Sequence, residues 1–427
     1  MKKSIISTIV TLLIPIVIHA IELPNAVIYG TTNKEPLSYQ VGEEMIFKFQ
    51  LKNVDNNNSS NTFFKYFRRG DDGKTFEGKA PSNEPLILKT SLDRAGFVGI
   101  DVFLVDSEGK NVTSNGKKIA FYAGSAVNPE SLTDCGEPED FDKFWAEQLK
   151  KLAAVPFRDK VEKVLLFTKG TMSYYKVKVP CLGPRPMTAY LCMPSKAAKQ
   201  SLKVEVHFCG YGTYKVTCPT QWPKHDRITL LVNAHGMELG ESDEYYKEFF
   251  ASLKSNGHNY AFDPELNKKL ETCYFHGMAM RALRAVEYAK TLPEWDGKNL
   301  IAIGGSQAGL QTMWVTALDS DVSESYPSII WCCDMAGTTK KQRCHGGWRV
   351  KHTPLLDYFD PVFMAKRIKN AQVHITRAGL GDYICPPSGL AICYRNLATP
   401  HKKIVWVQGS SHDFTPADAE KVIWANE

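Results

Sequence analysis

Hydrophobic residues recur at every second position in the N-terminal part of the chain. Residues 45–51 (MIFKFQL) alternate in this way, and residues 98–104 (VGIDVFL) do so again. A period of two is typical of a strand that buries one face. Polar turns separate the runs, and no helical period intervenes. The pattern predicts a small antiparallel β-sandwich, of the immunoglobulin-like type, over residues 21–126.

The periodicity changes after GSAVNPESL, residues 124–132, which is interpreted as a linker. Residues 141–152 place their hydrophobic side chains on one helical stripe, and apolar runs then alternate with helical segments. The apolar runs that end in glycine-rich or polar turns are residues 204–212, 228–236, 300–306, 373–379 and 403–410. Such runs are typical of buried parallel strands that helices cover. Residues 127–427 are therefore predicted to form an α/β domain with a mostly parallel sheet.

The first twenty residues are typical of a secretory signal peptide. Lys2 and Lys3 precede an apolar run over residues 5–18, and Ala20 is a small residue at a suitable cleavage position. The run is shorter than the roughly 20 apolar residues of a membrane span, although an uncleaved anchor stays open as the alternative. The pattern favours export to the periplasm or the exterior, with residues 1–20 removed and no stable membrane span.

Charge and cysteine content argue against two classes of protein. The chain carries 52 Lys and Arg against 46 Asp and Glu, and its basic residues are scattered. The longest basic run, KKQR at residues 340–343, is interpreted as a solvated loop, so no nucleic-acid partner is expected. The 11 cysteines lack the paired spacing of a zinc site, and their odd number leaves at least one thiol unpaired. No metal is expected.

A candidate nucleophile lies in NLIAIGGSQAGLQT, residues 299–312, where an apolar strand runs through glycines into a helix. A nucleophilic serine on a strand-to-helix turn needs small residues two positions before it and two positions after it. Gly304 and Ala308 fill these places around Ser306, although the strict pattern has glycine at the second one. The alternative is a hydroxyl in an ordinary glycine-rich loop. The flanking strand and helix favour the nucleophile.

A serine hydroxyl needs a base, and the base needs a carboxylate that fixes its tautomer. For a nucleophile on such a turn, the chain order is serine, acid, histidine. Asp382 follows an apolar strand in AGLGDYICPPS, and His412 follows the last one in QGSSHDF. Each has a purely structural alternative, but their order and placement favour a catalytic triad. His374 and His401 are weaker candidates, because the first lies within a strand and the second before one.

The oxyanion of a tetrahedral intermediate needs N–H donors that are already in place. The residue after the nucleophile, Gln307, supplies one backbone N–H, and a loop after an earlier strand supplies the other. FCGYG at residues 208–212 is the best candidate for that loop, with Gly210 at the bend and Tyr211 as the donor.

From about Glu137 onward the chain resembles the acetylxylan esterase and cephalosporin C deacetylase family of α/β-hydrolases. The resemblance is carried by PEDFDKFW, the GY pair at residues 210–211, RALRAVEYAKTLPEWDGKNLIAIGGSQAG, YFDPVFMAKRI, AGLGDYICPPS and the last histidine loop. It implies an α/β-hydrolase fold with Ser306, Asp382 and His412 as the triad.

The same resemblance implies that Tyr211 and Gln307 are the oxyanion donors. It also implies deacetylation of short xylan-derived oligosaccharides and small esters without a metal or other cofactor, and it allows assembly into homo-oligomers. Two segments depart from the family pattern: Cys209 replaces a histidine, and NAHGMELG at residues 233–240 replaces the DTRGQG segment. Residues 238–270 are also rebuilt, where substrate-side loops are expected.

The sequence therefore predicts two-step acyl transfer by a secreted carbohydrate esterase. One alternative is a serine peptidase of the prolyl oligopeptidase type, although the N-terminal residues could hold barely two propeller blades of roughly 40 to 45 residues each. The other is a non-catalytic carbohydrate-binding protein on a hydrolase scaffold. For the N-terminal sandwich, a packing or oligomer-contact role is favoured over carbohydrate binding.

Overall fold

A computed structural model describes residues 21–54, 61–343 and 348–425 of the chain. The predicted signal peptide, residues 1–20, lies outside the described residues. Within them, no helix is both long enough and apolar enough to cross a membrane. The N-terminal strands build two small sheets, and most of the later elements build one large sheet with helices against it.

The N-terminal part consists of strands in two antiparallel sheets and in one separate pair of short strands. These strands are β1 (Val27–Thr32), β2 (Met45–Lys52), β3 (Phe63–Gly70), β4 (Phe76–Pro81), β5 (Leu86–Thr90), β6 (Gly96–Val105), β7 (Thr113–Ser114), β8 (Lys117–Lys118) and β9 (Ala120–Val127). One sheet has the order β1-β2-β5, the other β4-β3-β6-β9, and β7 and β8 pair separately. Phe47 and Phe49 of the first sheet share a core with Ile100 and Val102 of the second. The two alternating runs thus face each other across a sandwich.

The later part is organised around a ten-stranded sheet. Its strands are β10 (Glu162–Lys169), β11 (Met172–Val179), β12 (Met187–Pro194), β13 (Leu202–Phe208), β14 (Arg227–Val232), β15 (Trp295–Gly305), β16 (Glu324–Ser328), β17 (Gln372–Gly379), β18 (Lys402–Val407) and β19 (Lys421–Ala425). Their order is β10-β11-β12-β14-β13-β15-β16-β17-β18-β19. The stretch from β14 to β18 is parallel, and the flanking strands pair antiparallel.

Helices connect these strands. They are α1 (Phe141–Ala153), α2 (Asp243–Ala251), α3 (Tyr274–Ala289), α4 (Gln307–Leu318), α5 (Gly337–Lys340), α6 (Pro361–Met364) and α7 (Pro387–Asn396). The five predicted apolar runs are β13, β14, β15, β17 and β18. Strand β16 was not predicted, because ESYPS is mostly polar and contains a proline. The fully exposed strand β10 was not predicted either.

Helices do not cover both faces of the sheet at β13. Val204 and Val206 are fully buried in the core that α3, α4 and α7 share. The residues between and after them, Glu205 and His207, are only half-buried on the opposite face. The prediction of a buried strand is therefore wrong for this face of β13, which stays polar and half-buried.

Two further interpretations of loops are corrected. The first residues of the segment 124–132 belong to the fully buried strand β9, so this part of the segment is not a linker. In the basic run 340–343, Arg343 is buried and its Nε donates to Asp334 Oδ2 at 2.6 Å. This arginine balances a buried carboxylate and does not lie in a solvated loop.

Strand β9 packs directly against the loops that follow β17 and β18. Gly124 N–H donates to Gln408 Oε1, and Gln408 Nε2 donates to the Gly124 carbonyl, both at 2.9 Å. Tyr122 N–H donates to the carbonyl of Gly409 at 3.3 Å. A Cβ on Gly124 would clash with the carbonyl oxygen of Leu380. The sandwich and the α/β part thus meet at β9 through close backbone contacts and through the Gln408 side chain.

Replacing Gln408 with alanine is expected to lower the free energy of unfolding by about 2–4 kcal/mol, because the buried N–H and C=O of Gly124 both lose their partner. The measurement is urea denaturation followed by tryptophan fluorescence. The control is the exposed Gln221→Ala, which is expected to stay within about 0.5 kcal/mol of the wild type. Equal stability of the two variants would mean that the Gln408 pairing does not hold the junction together.

Candidate active site

Ser306 lies on the turn between β15 and α4. Its backbone has φ 59° and ψ −123°, a positive φ that residues other than glycine rarely adopt. Ser306 N–H donates to the carbonyl of Ser328 at 3.0 Å. The Ser306 carbonyl accepts from the N–H groups of Leu310 at 3.0 Å and Trp331 at 3.2 Å. These bonds hold the strained conformation, which is typical of functional positions.

The close approach of strand and helix explains the small residues around this serine. A Cβ on Gly304 would lie 2.6 Å from the Cβ, the backbone carbon and the carbonyl oxygen of Ala308. Only a hydrogen atom fits there. Ala308 itself is buried at 2% exposure and fits opposite the glycine, so the departure from the strict pattern leaves the turn intact.

Replacing Gly304 with alanine is expected to lower the free energy of unfolding by about 1–3 kcal/mol, because the added methyl forces β15 and α4 apart. The same shift moves Ser306, so the turnover of an aryl acetate should fall as well. The matched variant is Gly304→Ala with Ala308→Gly. It should stay destabilised, because the backbone atoms of residue 308 still lie too close. Full recovery in the double variant would contradict this explanation.

Asp382 and His412 form a hydrogen-bonded pair. Asp382 Oδ2 accepts from His412 Nδ1 at 3.1 Å. The other carboxylate oxygen accepts from the backbone N–H groups of Ile384 and Cys385 at 2.9 Å each. The Asp382 side chain is 0% exposed and that of His412 is 14% exposed. Because Nδ1 donates to the carboxylate, Nε2 of the neutral ring is left as the proton acceptor.

Strand β17 fixes the loop that carries His412. Arg377 Nη2 donates to the His412 carbonyl at 2.9 Å, and Arg377 Nη1 donates to the Thr415 hydroxyl at 3.0 Å. Within the loop, Ser411 N–H donates to the carbonyl of Phe414 at 2.9 Å. This role of Arg377 could not be predicted from the sequence, because the contact joins a strand residue to a loop 35 residues later in the chain.

The buried thiol of Cys385 lies near both the Asp382–His412 pair and Ser306. The ligating side-chain atoms of Asp382, Cys385 and His412 lie within 4.8 Å of one another. The Ser306 side chain lies near enough to the same thiol to oppose the rise of its pKa. No direct hydrogen bond between Ser306 and His412 occurs within the described ranges, and such bonds often form only once substrate is bound. The structure thus brings the three predicted residues together around Cys385, which sequence analysis did not single out.

The Gln307 side chain joins the helix after the serine to the loop after β13. Gln307 Nε2 donates to the carbonyls of Cys209 and Gly210 at 3.3 Å each. Gln307 Oε1 accepts from the Tyr260 hydroxyl at 3.0 Å. Because this side chain is 0% exposed, the bonds form in a site shielded from water. These bonds hold the loop that contains Tyr211 beside the backbone of Gln307. The backbone N–H groups of Tyr211 and Gln307 are the two predicted oxyanion donors.

Tyr260 and His235 support the same loop, and they lie in the segments that depart from the family pattern. The Tyr260 hydroxyl accepts from Gly212 N–H, and His235 Nε2 donates to the Gly212 carbonyl, both at 2.9 Å. Burial lowers the pKa of His235 to about 4, so the ring is neutral at pH 7. Both residues lie in stretches that differ from the family pattern. That difference was the only signal of their importance in the sequence.

The weaker histidine candidates lie elsewhere. His374 lies on β17 beside Tyr326, with ring centroids 6.2 Å apart. His401 is exposed and precedes β18. Neither makes a hydrogen bond to Asp382 or Ser306 in the part of the chain that the structure describes.

One group in the described residues has the composition of a metal site, namely Asp382, Cys385 and His412. Its donor atoms are already engaged, because both carboxylate oxygens accept hydrogen bonds from the protein. Burial raises the pKa of the Cys385 thiol well above its ordinary value, whereas metal ions bind the thiolate. The arrangement suits proton transfer better than metal coordination.

Comparison with known families matches residues 132–427 to the acetyl xylan esterase family, AXE1. The chain belongs to the acetyl xylan esterase family. The match includes Ser306, Asp382 and His412, and it leaves out the N-terminal sandwich. The sequence resemblance to this family is therefore confirmed.

A curated relative of this acetyl xylan esterase family member is named as an acetyl esterase. The acetyl esterase Axe7A of Xylanibacter ruminicola is 29% identical over 281 residues, which are 63% of this chain and 62% of that protein. The chain thus spans less than two thirds of the length of this curated relative.

Two solved structures share the fold. The acetyl xylan esterase of Paenibacillus sp. R4 has a TM-score of 0.57 and 21% identity, over 67% of this chain and 94% of that one. Acetyl xylan esterase 1 of Thermoanaerobacterium sp. JW/SL YS485 has a TM-score of 0.56 and 18% identity, over 68% and 93%. At these identities the likeness concerns the fold, which is mixed α/β and similar to that of acetyl xylan esterases.

Proposed function

We propose that this protein is a serine esterase that removes acetyl groups from acetylated carbohydrates, such as xylan-derived oligosaccharides, through an acyl-enzyme. The observation that carries the proposal is the hydrogen-bonded pair of Asp382 and His412 beside Cys385, a thiol whose pKa the side chain of Ser306 also affects. Membership of the acetyl xylan esterase family and the name of the relative Axe7A support the acetyl ester as substrate.

In the first step, the Ser306 hydroxyl attacks the acetyl carbonyl carbon, and His412 Nε2 takes the hydroxyl proton. Asp382 stabilises the imidazolium that forms, through its bond to Nδ1. The tetrahedral intermediate then collapses, the C–O bond to the sugar breaks, and His412 returns the proton to the sugar oxygen. The sugar leaves as an alcohol, and the acetyl group stays on Ser306.

In the second step, water replaces the sugar. His412 takes a proton from the water as its oxygen attacks the acyl-enzyme, and the proton is passed to Ser306 as acetate leaves. In both steps the carbonyl oxygen gains negative charge. The backbone N–H groups of Tyr211 and Gln307 are proposed to stabilise this charge, and the Gln307 bonds to Cys209 and Gly210 support their fixed placement.

The test is a substrate panel with the purified protein. It contains an aryl acetate, the matching aryl butyrate, acetylated xylo-oligosaccharides and a proline-containing peptide. We expect acetate release from the first and third and labelling of Ser306 by a fluorophosphonate probe. Cleavage of the peptide alone would favour the peptidase. Glycan binding without labelling would favour the binding protein, and failure to release acetate from any ester would overturn the proposal.

We further propose the organisation in which this site operates. Residues 21–126 form an immunoglobulin-like domain, residues 127–427 form the catalytic α/β-hydrolase domain, and residues 1–20 direct export to the periplasm or the exterior. The two antiparallel sheets support the first assignment. N-terminal sequencing of the secreted protein tests the cleavage site, and light scattering tests the homo-oligomer that the resemblance implies.

A further inference from the structure

The N-terminal sandwich presents a buried ion pair to the loop that carries Asp382. Arg69 of β3 pairs with Asp101 of β6, and their side chains are only 12% and 8% exposed. Asp101 Oδ1 is buried without a hydrogen-bond partner in the described ranges. The negative charge of Asp101 therefore depends mainly on Arg69 for its balance. Both residues lie before residue 132, outside the part that matches the family.

Arg69 also touches the acid loop. Its guanidinium lies over the ring of Tyr383, the residue after Asp382, at 4.9 Å from the ring centroid. Arg69, Asp71 and Asp382 line a common cavity of ≈ 30 Å³. An arginine stacked on an aromatic face restrains that side chain and contributes about 0.5–2 kcal/mol. The positive charge of the sandwich thus lies against the residue next to the proposed catalytic acid.

The backbone of the sandwich forms the wall of the same loop. A Cβ on Gly381 would clash with the carbonyl oxygen of Tyr122 on β9. On its other side, Gly381 N–H donates to the Ser410 carbonyl of the histidine loop at 3.1 Å. The residue before Asp382 is therefore held between the sandwich and the loop of His412. A change in the sandwich at this point would therefore displace the Asp382–His412 pair.

Charges around Asp382 come from both parts of the molecule. The sandwich contributes Arg69, Lys118, Asp71 and Asp101, and the α/β part contributes His412, Arg349 and Arg377, with Cys385 and Tyr383 beside them. Burial raises the pKa of Asp101, the charges of Arg69 and Lys118 oppose the rise, and the charge of Asp382 adds to it. The two carboxylates therefore interact, and Arg69 is the buried cation that offsets them.

We propose that Arg69 is a positioning residue of the active site, which together with Asp101 holds the Asp382 loop and balances the charge beside the catalytic acid. The inference rests on the proposed function, because it assigns a partner to the Asp382–His412 pair. It makes the N-terminal sandwich a part of the active site and not only a packing unit. Arg69 touches neither substrate nor the reacting atoms and acts through Tyr383 and Asp382.

The test compares charge variants by the pH profile of kcat/KM for an aryl acetate. Arg69→Gln is expected to lower kcat/KM by about 10- to 100-fold, since small displacements of catalytic groups have effects of this size. The acid limb of the kcat/KM profile of Arg69→Gln should move to higher pH, because the loss of a positive charge favours the protonated forms of nearby groups. Asp101→Asn should move the limb in the opposite direction, and the double variant should return it towards the wild type.

Two further variants separate charge from position. Arg69→Lys keeps the charge but loses the planar group over Tyr383, so its acid limb should stay in place while kcat falls. It also provides the readout if Arg69→Gln does not fold. The matched control is Lys65→Gln, an exposed residue of the same strand, which should keep the wild-type profile.

The outcomes separate this inference from the proposed function. Wild-type kcat/KM and pH profiles in the Arg69 and Asp101 variants, with an inactive Ser306→Ala, would overturn the inference and leave the esterase standing. Losses of stability without opposite shifts of the acid limb would also overturn it, because a purely structural ion pair behaves in that way. An active Ser306→Ala would instead overturn the proposed function.

Discussion

Replacing Ser306 with alanine is expected to lower kcat for an aryl acetate by a factor on the order of a million, as removal of the nucleophile does in a serine hydrolase. The covalent route ends because no other group can form the acyl-enzyme at this turn. His412 and the oxyanion donors stay in place, so a small residual rate above that of water is expected. The measurement is the initial rate at saturating substrate, with the fluorophosphonate label as the second readout.

The control for this variant is a serine at the far end of the same strands. Ser323 exchanges hydrogen bonds with Leu300 in the middle of β15, so Ser323→Ala should lose some stability but keep kcat. Ser306→Gly should be as inactive as Ser306→Ala and more stable by about 1 kcal/mol, because glycine accepts the positive φ without strain. Substantial activity in either variant at position 306 would remove this serine from the mechanism.

Replacing Asp382 with asparagine is expected to lower kcat by about four orders of magnitude with little change in the fold. The amide Oδ1 can still accept from the N–H groups of Ile384 and Cys385, and its NH₂ group then faces His412 Nδ1. A donor at that position favours the other tautomer of the imidazole, in which Nε2 carries the proton. The histidine then can no longer take the proton of Ser306.

The control for Asp382→Asn is the exposed neighbour of the histidine, Asp413→Asn, which should keep the wild-type kcat. Circular dichroism and the unfolding midpoint should be similar for both variants. If Asp382→Asn kept more than about a tenth of the activity, another group would have to orient His412. A parallel loss in Asp413→Asn would show that the whole loop is sensitive to charge and not only the catalytic carboxylate.

Much of the candidate site was predictable, because short sequence patterns determine the local structure around it. The small residues around Ser306 predict the turn, and the structure has that turn with Gly304 pressed against Ala308. The loops after two apolar strands predict Asp382 and His412, and the structure joins them by a hydrogen bond. Their catalytic roles stay predictions until the variants are measured.

Other features were not predictable, because they depend on contacts between distant segments. Gln307 was predicted for its backbone N–H, whereas its side chain ties the loop after β13 to the nucleophile helix. Cys385 lies in the predicted loop of Asp382 and Tyr260 in the rebuilt stretch 238–270, but neither pattern indicates which residues these two side chains contact. The prediction of a buried strand was wrong for one face of β13, because Glu205 and His207 alternate there with the buried residues.

The sequence by itself determined the alternating strands, the apolar parallel strands, the family and the chain order of serine, acid and histidine. These properties are local, since they depend on the period of the hydrophobic residues and on turns of a few residues. Only the tertiary structure decided that Arg69 and Asp101 lie beside the Asp382 loop. That contact joins segments roughly 300 residues apart, so it follows from how the two units pack and from no local pattern.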